Sequence, residues 1–199
     1  MLLQLNNLCL AVGRVDELYA EDYEAIFPDI LNKRMKKKSN LISKKQSVAA
    51  YILLDNLLRE YYGVTLDALK FEEGGKPYLA QGPFISVSHT DNYVCAGVSF
   101  SPVGVDIEQI KKYDEKIAKR YFSKSENRYI KRKNSEFRFF KLWTLKEAII
   151  KREGTSVLQM AKVELRLFLG KPFYKNYNLH TEICENCVIS ACFSKKTGI

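Results

Sequence analysis

The segment GVDIE at positions 104–108 places two acidic side chains two residues apart. On a β-strand, residues so spaced point to the same side, so Asp106 and Glu108 would project together while Val105 and Ile107 face a core. Neighbouring carboxylates supply the oxygen ligands that Mg²⁺ takes in proteins. On spacing alone, two acids on a solvated strand face are the simpler interpretation, because the pattern is common.

The segment WTLKEAIIK at positions 143–151 is typical of a helix that carries a third acid. Trp143, Glu147 and Lys151 follow at intervals of four and would share one helix face. If this helix packs on the strand of Asp106, Glu147 would complete a three-carboxylate metal site. Lys146 and Lys151 would then neutralise a phosphate bound to that metal. Taken by itself, the spacing also describes an ordinary Glu–Lys pair on a helix surface.

Two further segments carry candidates for binding an anion. The sequence GKPY at 75–78 presents Lys76 on a turn, since glycine lets the backbone approach a ligand and Pro77 fixes the exit. The sequence SVSHT at 86–90 ends a predicted strand with Ser88 and His89, which would contact a phosphate. The structural alternatives are a plain surface turn and a strand-end histidine with a local hydrogen bond.

The cysteine and glycine patterns exclude several classes of site. Cys184 and Cys187 form a single C-x-x-C pair, which two cysteines in a hairpin explain better than zinc. Neither a P-loop nor a G-x-G-x-x-G motif is present in the sequence, so neither nucleotide fold is supported. The odd number of cysteines, mostly in apolar runs, favours a reduced cytoplasmic protein. We expect neither a transmembrane helix, which needs about 18 apolar residues, nor a signal peptide.

The composition describes a basic globular protein. The 199 residues include 32 Lys and Arg against 23 Asp and Glu, which gives a net charge of +9. This balance favours an acidic partner: nucleic acid, anionic lipid, a phosphorylated small molecule or an acidic protein. Basic residues concentrate in 33–45, which holds no acid, and in 111–133, which holds ten Lys and Arg against three acids. Each stretch is either a solvated face or an anion-binding surface.

Hydrophobic periodicity predicts the elements that must position these residues. We expect a strand over 2–12, a short helix over 15–26, and a helix capped by Ser43 that runs to Tyr62 and stops at Gly63. Helices in two or three pieces are predicted over 114–152, and Gly154 ends the last of them. Further strands are predicted over 84–88, 93–100, 103–107, 163–169, 179–184 and 187–193. Because strands and helices mix without regular βαβ alternation, the pattern indicates an α+β fold with largely antiparallel sheets.

The motifs GKPY, SVSHT, GVDIE and WTLKEAIIK follow one another in an order that resembles the 4′-phosphopantetheinyl transferases. The closest likeness is to the longer, two-lobe type that activates peptide and polyketide synthases, and it covers Gly75 to Lys151. The resemblance implies two similar α+β lobes with pseudo-twofold symmetry and an active site at the lobe interface. Residues 1–100 would form the lobe with the coenzyme A nucleotide contacts, and residues 101–199 the lobe with the metal-binding acids.

The resemblance also implies a role for each candidate residue. Asp106, Glu108 and Glu147 match the family's Mg²⁺-binding acids, and Glu147 matches its general base. Lys146 and Lys151 match basic residues of the KEA helix, with Lys151 gripping the coenzyme A pyrophosphate. The residues that match contacts to the nucleotide end and its 3′-phosphate are Lys76, Pro77, Ser88 and His89. One departure is Gln46, which stands where the family often has an arginine.

The implied activity is transfer of the phosphopantetheine arm of coenzyme A to a serine of an acyl or peptidyl carrier protein, with release of adenosine 3′,5′-bisphosphate. The carriers of this class are acidic and would match the basic charge. Their expected docking surface is 111–133, where the basic residues are interleaved with Ile117, Tyr121, Phe122 and Tyr129. A cytoplasmic monomer without nucleic-acid or membrane partners is implied. The alternatives are a basic nucleic-acid binding module and an inactive homologue that binds carrier proteins.

Overall fold

The computed structural model describes residues 1–5 and 7–194. The chain divides into two compact units, Met1–Val103 and Gly104–Ile199. Each unit combines helices with antiparallel strand pairs, which confirms the predicted α+β fold with largely antiparallel sheets. Within the described residues, no helix is long and apolar enough to cross a membrane.

The first unit is a sheet packed against helices. Its elements, in chain order, are β1 (Leu2–Leu5), β2 (Leu8–Arg14), α1 (Val15–Leu18), α2 (Tyr23–Ile26), α3 (Asp29–Lys36), α4 (Leu41–Tyr62), a 3₁₀ turn (Leu66–Ala68), β3 (Leu69–Phe71), β4 (Pro77–Leu79), β5 (Phe84–Thr90) and β6 (Tyr93–Ser99). The main sheet has the order β1-β2-β6-β5, and β3 pairs with β4. The single strand predicted over 2–12 is therefore two paired strands, and the helix predicted over 15–26 is two short ones.

Helix α4 forms the core of this unit by packing on β2, β5 and β6. Its buried stripe, which includes Leu54 and Leu58, meets sheet residues such as Ile85 and Val98 in one apolar cluster. The predicted stop at Gly63 is confirmed, since this residue has a φ of 62° as the helix C-cap. The predicted cap is wrong: the Asn40 side chain accepts a hydrogen bond from the Ser43 backbone N–H, so the helix starts earlier.

The second unit repeats this pairing of a sheet with a long helix. Its elements are β7 (Val103–Gln109), α5 (Glu115–Tyr121), α6 (Lys124–Ile130), α7 (Ser135–Glu153), a 3₁₀ turn (Val157–Lys162), β8 (Arg166–Phe168), β9 (Lys171–Phe173), β10 (Tyr177–Cys184) and β11 (Cys187–Ser194). The main sheet has the order β10-β11-β7, and β8 pairs with β9. Helix α7 packs on β11 and ends at Gly154, as predicted.

Gly104 allows α7 to lie close to β7. A Cβ atom at this position would clash with the carbonyl oxygen of Ala148 and would lie 2.5 Å from the backbone nitrogen of Arg152. Both obstacles are helix backbone, which a side-chain rotation cannot move aside. Since residues two apart on a strand share one side, the side of Gly104 that meets the helix also carries Asp106. The glycine of GVDIE therefore brings the acids of β7 up to α7.

Replacing Gly104 with alanine should force α7 and β7 apart. We expect the free energy of unfolding to fall by about 1–3 kcal/mol or more, as for other overpacked interiors. Urea denaturation of the two proteins measures this difference. Gly74→Ala is the matched control, because a Cβ atom there would meet nothing within 4 Å. Equal stability losses in the two variants would contradict the close approach.

Candidate active site

Asp106, Glu147 and Lys151 come together in the second unit. The side chain of Asp106, on β7, is 6% exposed and accepts a hydrogen bond of 2.7 Å from Nζ of Lys151, on α7. Glu147 lies one helical turn before Lys151 and is half-buried. The strand and the helix thus meet as the sequence analysis required for a shared site.

The Glu147 carboxyl interacts electrostatically with both acids of GVDIE, Asp106 and Glu108. Burial, together with the negative charges of Asp106 and Glu108, raises the pKa of Glu147 from 4.5 to about 7, while the Lys151 ammonium opposes this rise. A carboxyl group with this pKa is partly protonated near neutral pH. It is suited to exchanging a proton with a substrate in that range.

The donor chemistry of this cluster fits a hard divalent cation. Asp106, Glu108 and Glu147 offer carboxylate oxygens only, and the repulsion among them raises the pKa of Glu147. A cation would relieve that repulsion. In residues 1–5 and 7–194, however, no three His, Cys, Asp or Glu side chains lie close enough together to hold a metal ion as they stand. Lys151 provides the positive charge beside Asp106.

Lys146, predicted to contact the coenzyme A pyrophosphate, lies instead in the core of the second unit. Its ammonium donates to Oε2 of Glu126 at 2.9 Å and to the carbonyl of Tyr121 at 2.8 Å, and it lies over the ring of Phe122. The Lys146 and Glu126 side chains are 1% and 0% exposed. Because the ammonium would have to leave a buried ion pair to reach a ligand, Lys146 belongs to the packing and not to the candidate site.

Glu126 is a structural residue that the sequence analysis missed. Its Oε2 also accepts a hydrogen bond from the backbone N–H of Ser123, which closes a capping box at the start of α6. Its Oε1 accepts a hydrogen bond from the backbone N–H of Leu165, just before β8. The spacing of Ser123 and Glu126 could have predicted the cap, but not the contacts with Lys146 and Leu165, which come from distant parts of the chain.

Lys146→Ala should destabilise the protein strongly, because it leaves the charge of Glu126 buried without its ammonium partner. We expect a loss of about 3–5 kcal/mol in the free energy of unfolding. The control is Lys175→Ala, whose ion pair with Glu153 involves a lysine that is 53% exposed. That exposed pair should contribute less than about 1 kcal/mol. Chemical denaturation of both variants distinguishes them, and equal losses would refute the structural assignment of Lys146.

In the first unit, the GKP turn joins β3 to β4. Gly75 has a φ of 82°, a left-handed conformation that favours glycine. Its carbonyl accepts a hydrogen bond of 3.3 Å from the Arg34 guanidinium, which also lies over the ring of Phe71. Lys76 and Pro77 line a cavity of about 260 Å³ together with Phe84. Arg34 of the basic stretch 33–45 is therefore brought to the turn that carries Lys76.

Ser88 and His89 lie next to each other near the end of β5, on opposite sides of the strand. Ser88 is buried and pairs in register with Cys95, whereas His89 is exposed and pairs with Val94. Alternate residues of a strand face opposite ways, so the two side chains do not converge on one point. Of the two residues predicted to contact a phosphate, His89 is the exposed one and Ser88 the buried one.

Gln46, the departure from the family pattern, also lies near this strand end. Its side-chain amide donates a hydrogen bond of 2.8 Å to the carbonyl of Asp91, in the turn between β5 and β6. Asp91 has a φ of 40°, which is uncommon for a residue with a side chain. This hydrogen bond from Gln46 stabilises the β5–β6 turn, which follows His89.

Residues 111–133 form α5, α6 and the segments beside them, and their charge is exposed. Lys119, Lys124, Arg128 and Lys131 line a cavity of about 610 Å³. Two of the four apolar residues predicted to serve as anchors are turned inward, Phe122 and Tyr129, each 6% exposed. Ile117 is 38% exposed, so the surface keeps one exposed apolar side chain among its basic residues.

The C-x-x-C pair lies at the end of the β10–β11 hairpin, with Cys184 and Cys187 opposite each other, as the hairpin interpretation predicted. The turn between them contains Asn186, whose side-chain amide donates a hydrogen bond to the backbone carbonyl of Ile110. The backbone carbonyl of Asn186 accepts a hydrogen bond from the backbone N–H of Ile110. These two bonds hold the chain just beyond β7. Asn186 is thus a second residue that supports the acids of GVDIE and that the sequence analysis did not single out.

Glu147→Gln should stabilise the metal-free protein at alkaline pH. The pKa of the Glu147 carboxyl rises from 4.5 to about 7 on folding, so its ionisation costs stability as the pH climbs through that interval. We expect the variant to gain up to about 3 kcal/mol at pH 8 with chelator, and little at pH 5. Thermal unfolding at both values measures this gain. Glu73→Gln, at an exposed loop carboxylate, should change stability at neither pH.

Comparison with known protein families finds a match over the part of the chain that carries the candidate site. Residues 102–192, which include β7 and α7, match the 4′-phosphopantetheinyl transferase superfamily. The 4′-phosphopantetheinyl transferase psf-1 of Bacillus pumilus is 36% identical over 124 residues, which are 59% of this chain and 53% of that protein. The 4′-phosphopantetheinyl transferase Sfp of Bacillus subtilis strain 168 is 28% identical over 151 residues, 70% of this chain and 67% of that protein.

A solved structure is also similar in part. The crystal structure of Thermotoga maritima holo-[acyl-carrier-protein] synthase is 24% identical and aligns with a TM-score of 0.40 over 48% of this chain and 64% of that one. The chain spans about half the length of the first curated relatives, 53% of psf-1 and 51% of the transferase gsp of Aneurinibacillus migulanus. By its motifs, by the family match over 102–192 and by its curated relatives, the chain resembles the 4′-phosphopantetheinyl transferase superfamily, in particular its longer members such as Sfp, as the sequence predicted.

Proposed function

We propose that this protein transfers the 4′-phosphopantetheine arm of coenzyme A to a serine of an apo acyl or peptidyl carrier protein. The observation that supports this proposal most is the cluster of Asp106, Glu108, Glu147 and Lys151 where β7 meets α7. Phosphoryl transfer needs positioning and charge stabilisation more than covalent participation of side chains. Carboxylates that can hold a cation, with a lysine beside them, meet that need.

Asp106, Glu108 and Glu147 would hold the Mg²⁺ ion of this reaction. When bound there, the ion would neutralise charge on the pyrophosphate oxygens of coenzyme A. An ammonium and a divalent cation compete for the same carboxylate, so we expect Lys151 to give up its bond to Asp106 when the site is filled. The Lys151 ammonium is then available for the pyrophosphate, which is the role that the sequence predicted for it.

The proposed reaction exchanges a phosphoanhydride bond of coenzyme A for a phosphoester bond to serine. The serine hydroxyl oxygen of the carrier forms a bond to the β-phosphorus of coenzyme A, and the bond from that phosphorus to the bridging oxygen breaks. Adenosine 3′,5′-bisphosphate leaves with the bridging oxygen. The serine proton passes to the Glu147 carboxylate, directly or through a water molecule. Lys151 balances the charge that gathers on the leaving phosphate.

In the first unit, we assign the nucleotide end of coenzyme A to Lys76 and Pro77 on the GKP turn, with Ser88 and His89 on β5. The cavity beside Lys76 and Pro77 and the exposed side chain of His89 support this assignment. Arg34, which contacts the turn through Gly75, adds a second cation there. Arg34 would take over part of the role of the family's arginine, whose position is occupied by Gln46 in this chain.

The partner proposed for the basic residues of 111–133 is an acidic carrier protein. The cations around the cavity of α5 and α6 would speed its association by long-range attraction. We propose a monomeric, cytoplasmic enzyme, as the resemblance to the two-lobe type implies. A nucleic-acid binding module would use the same charge, but it would give no role to the buried cluster of Asp106, Glu147 and Lys151.

Intact-mass spectrometry of an apo carrier protein, incubated with coenzyme A and Mg²⁺, tests the proposal. We expect the carrier to gain the mass of one phosphopantetheine arm, and EDTA to prevent the gain. Glu147→Gln should reduce the rate by at least about 100-fold, the usual contribution of a positioned acid or base. Glu73→Gln is the matched control and should leave the rate unchanged. A carrier mass that stays constant across peptidyl and acyl carriers would contradict the proposed activity.

Lys76→Ala should raise the KM for coenzyme A more than it lowers kcat, because Lys76 would bind a part of the substrate remote from the reacting phosphorus. The expected rise is about tenfold, which corresponds to the ~1.4 kcal/mol of one charged hydrogen bond. Lys70→Ala, an exposed lysine on the neighbouring strand β3, is the control. Steady-state kinetics measure both constants, and an unchanged KM for Lys76→Ala would refute the role of this residue.

A further inference from the structure

The tip of the β8–β9 hairpin holds an apolar side chain in an unfavourable backbone conformation. Its two central residues, Leu169 and Gly170, have φ angles of 48° and 76°. Two-residue turns with positive φ at both central positions strongly favour Asn-Gly, because asparagine tolerates this conformation and leucine does not. Leu169 is also 88% exposed, so no packing of its own side chain offsets the strain. Local departures of this kind tend to mark functional positions.

Leu169 belongs to an exposed apolar patch rimmed by cations. Phe168 and Phe173 of the same hairpin are 68% and 50% exposed. Beside them lies a cleft of about 650 Å³ whose lining includes Lys162, Arg166, Phe173, Tyr174 and Lys175, with Glu164 as its acid. Lys162 and Arg166 form no ion pair in the described part of the chain. An apolar centre with a charged rim is the usual composition of a protein-docking surface.

The hairpin lies against the basic helix α6. A methyl group at Gly170 would lie 3.8 Å from Cε2 of Tyr129, near the end of that helix. On the basic surface of α5 and α6, Phe122 and Tyr129 are turned into the core, and Ile117 is 38% exposed. The hairpin tip adds, next to this surface, the more exposed apolar side chains of Phe168 and Leu169.

We propose that Leu169 and Phe168 are apolar anchors for an acidic partner protein, the carrier domain that the enzyme would modify. This inference rests on the proposed function. The cations of the hairpin and of α6 attract an acidic partner, and the anchors hold it once it has arrived. The concave cleft beside the anchors suits a protein surface with protruding side chains better than it suits a flat membrane.

Leu169→Asn separates docking from folding, because asparagine relieves the backbone strain while it removes the anchor. We expect the variant to unfold at the same temperature as the parent or higher, and to bind coenzyme A equally well. Its dissociation constant for an apo peptidyl carrier protein, measured by titration calorimetry without coenzyme A, should rise at least about fivefold. The control is Ile183→Ser, at a site that is 54% exposed on β10. It should leave that constant unchanged.

The possible results distinguish this inference from the function on which it rests. If the parent binds and modifies the carrier but Leu169→Asn binds it as tightly, the docking inference is wrong and the proposed activity stands. If the parent neither binds nor modifies any carrier, both are wrong. Vesicles of phosphatidylserine and phosphatidylcholine provide the last comparison. Suppose that the parent binds these vesicles, that Leu169→Asn does not, and that both proteins bind the carrier equally well. The partner of the hairpin would then be a membrane and not a protein.

Discussion

The close approach of α7 to β7 at Gly104 is the constraint on which the candidate site depends. Without a side chain at this position, the helix backbone at Ala148 and Arg152 lies against the strand. Only at that distance does the Lys151 ammonium reach the Asp106 carboxylate at 2.7 Å. Glu147 lies at the same contact, where burial, together with the negative charges of both acids of GVDIE, raises the pKa of its carboxyl to about 7. One glycine thus determines both the geometry and the electrostatics of the cluster.

Adjacent residues of α7 divide the work of structure and chemistry. Lys146 points into the core, where Glu126 neutralises its charge and also binds the backbone of Ser123 and Leu165. Glu147, the next residue, points towards the acids of β7. Successive residues on a helix are about 100° apart, so Lys146 and Glu147 point in different directions. One of them can therefore join a buried ion pair while the other joins the carboxylate cluster. The buried pair ties α6, α7 and the start of β8 into one body, which supports the rigid placement that phosphoryl transfer requires.

The sequence predicted the parts of the fold that local periodicity controls. The strands around 84–109, the helices over 114–152 and the stops at Gly63 and Gly154 all follow from spacing and glycine conformation. The cap of α4 was misplaced by three residues because Ser43 and Asn40 are both good caps, and only the structure shows which side chain accepts the bond. The meeting of Asp106 with Lys151 was predicted conditionally, since it required a contact between segments 45 residues apart.

The failures of the sequence analysis share one physical cause. Lysine and phenylalanine are both common on binding surfaces, so Lys146 and Phe122 were predicted to lie there. Both are buried, because Lys146 pairs with Glu126 and Phe122 packs on Trp143, and these partners lie 20 or more residues away in the chain. Periodicity describes which residues share a face, but it does not say which face is covered by the rest of the molecule.

The central claim is that Asp106, Glu108 and Glu147 form one cation site, and cation binding tests it most directly. Mn²⁺ gives a spectroscopic signal and takes the same oxygen ligands as Mg²⁺. In an electron paramagnetic resonance titration with coenzyme A present, we predict one bound Mn²⁺ per chain that Mg²⁺ displaces. Glu147→Gln should lose this ion while keeping its fold. Stoichiometric Mn²⁺ binding that survives both Glu147→Gln and Asp106→Asn would contradict the account, because the ion would then lie elsewhere.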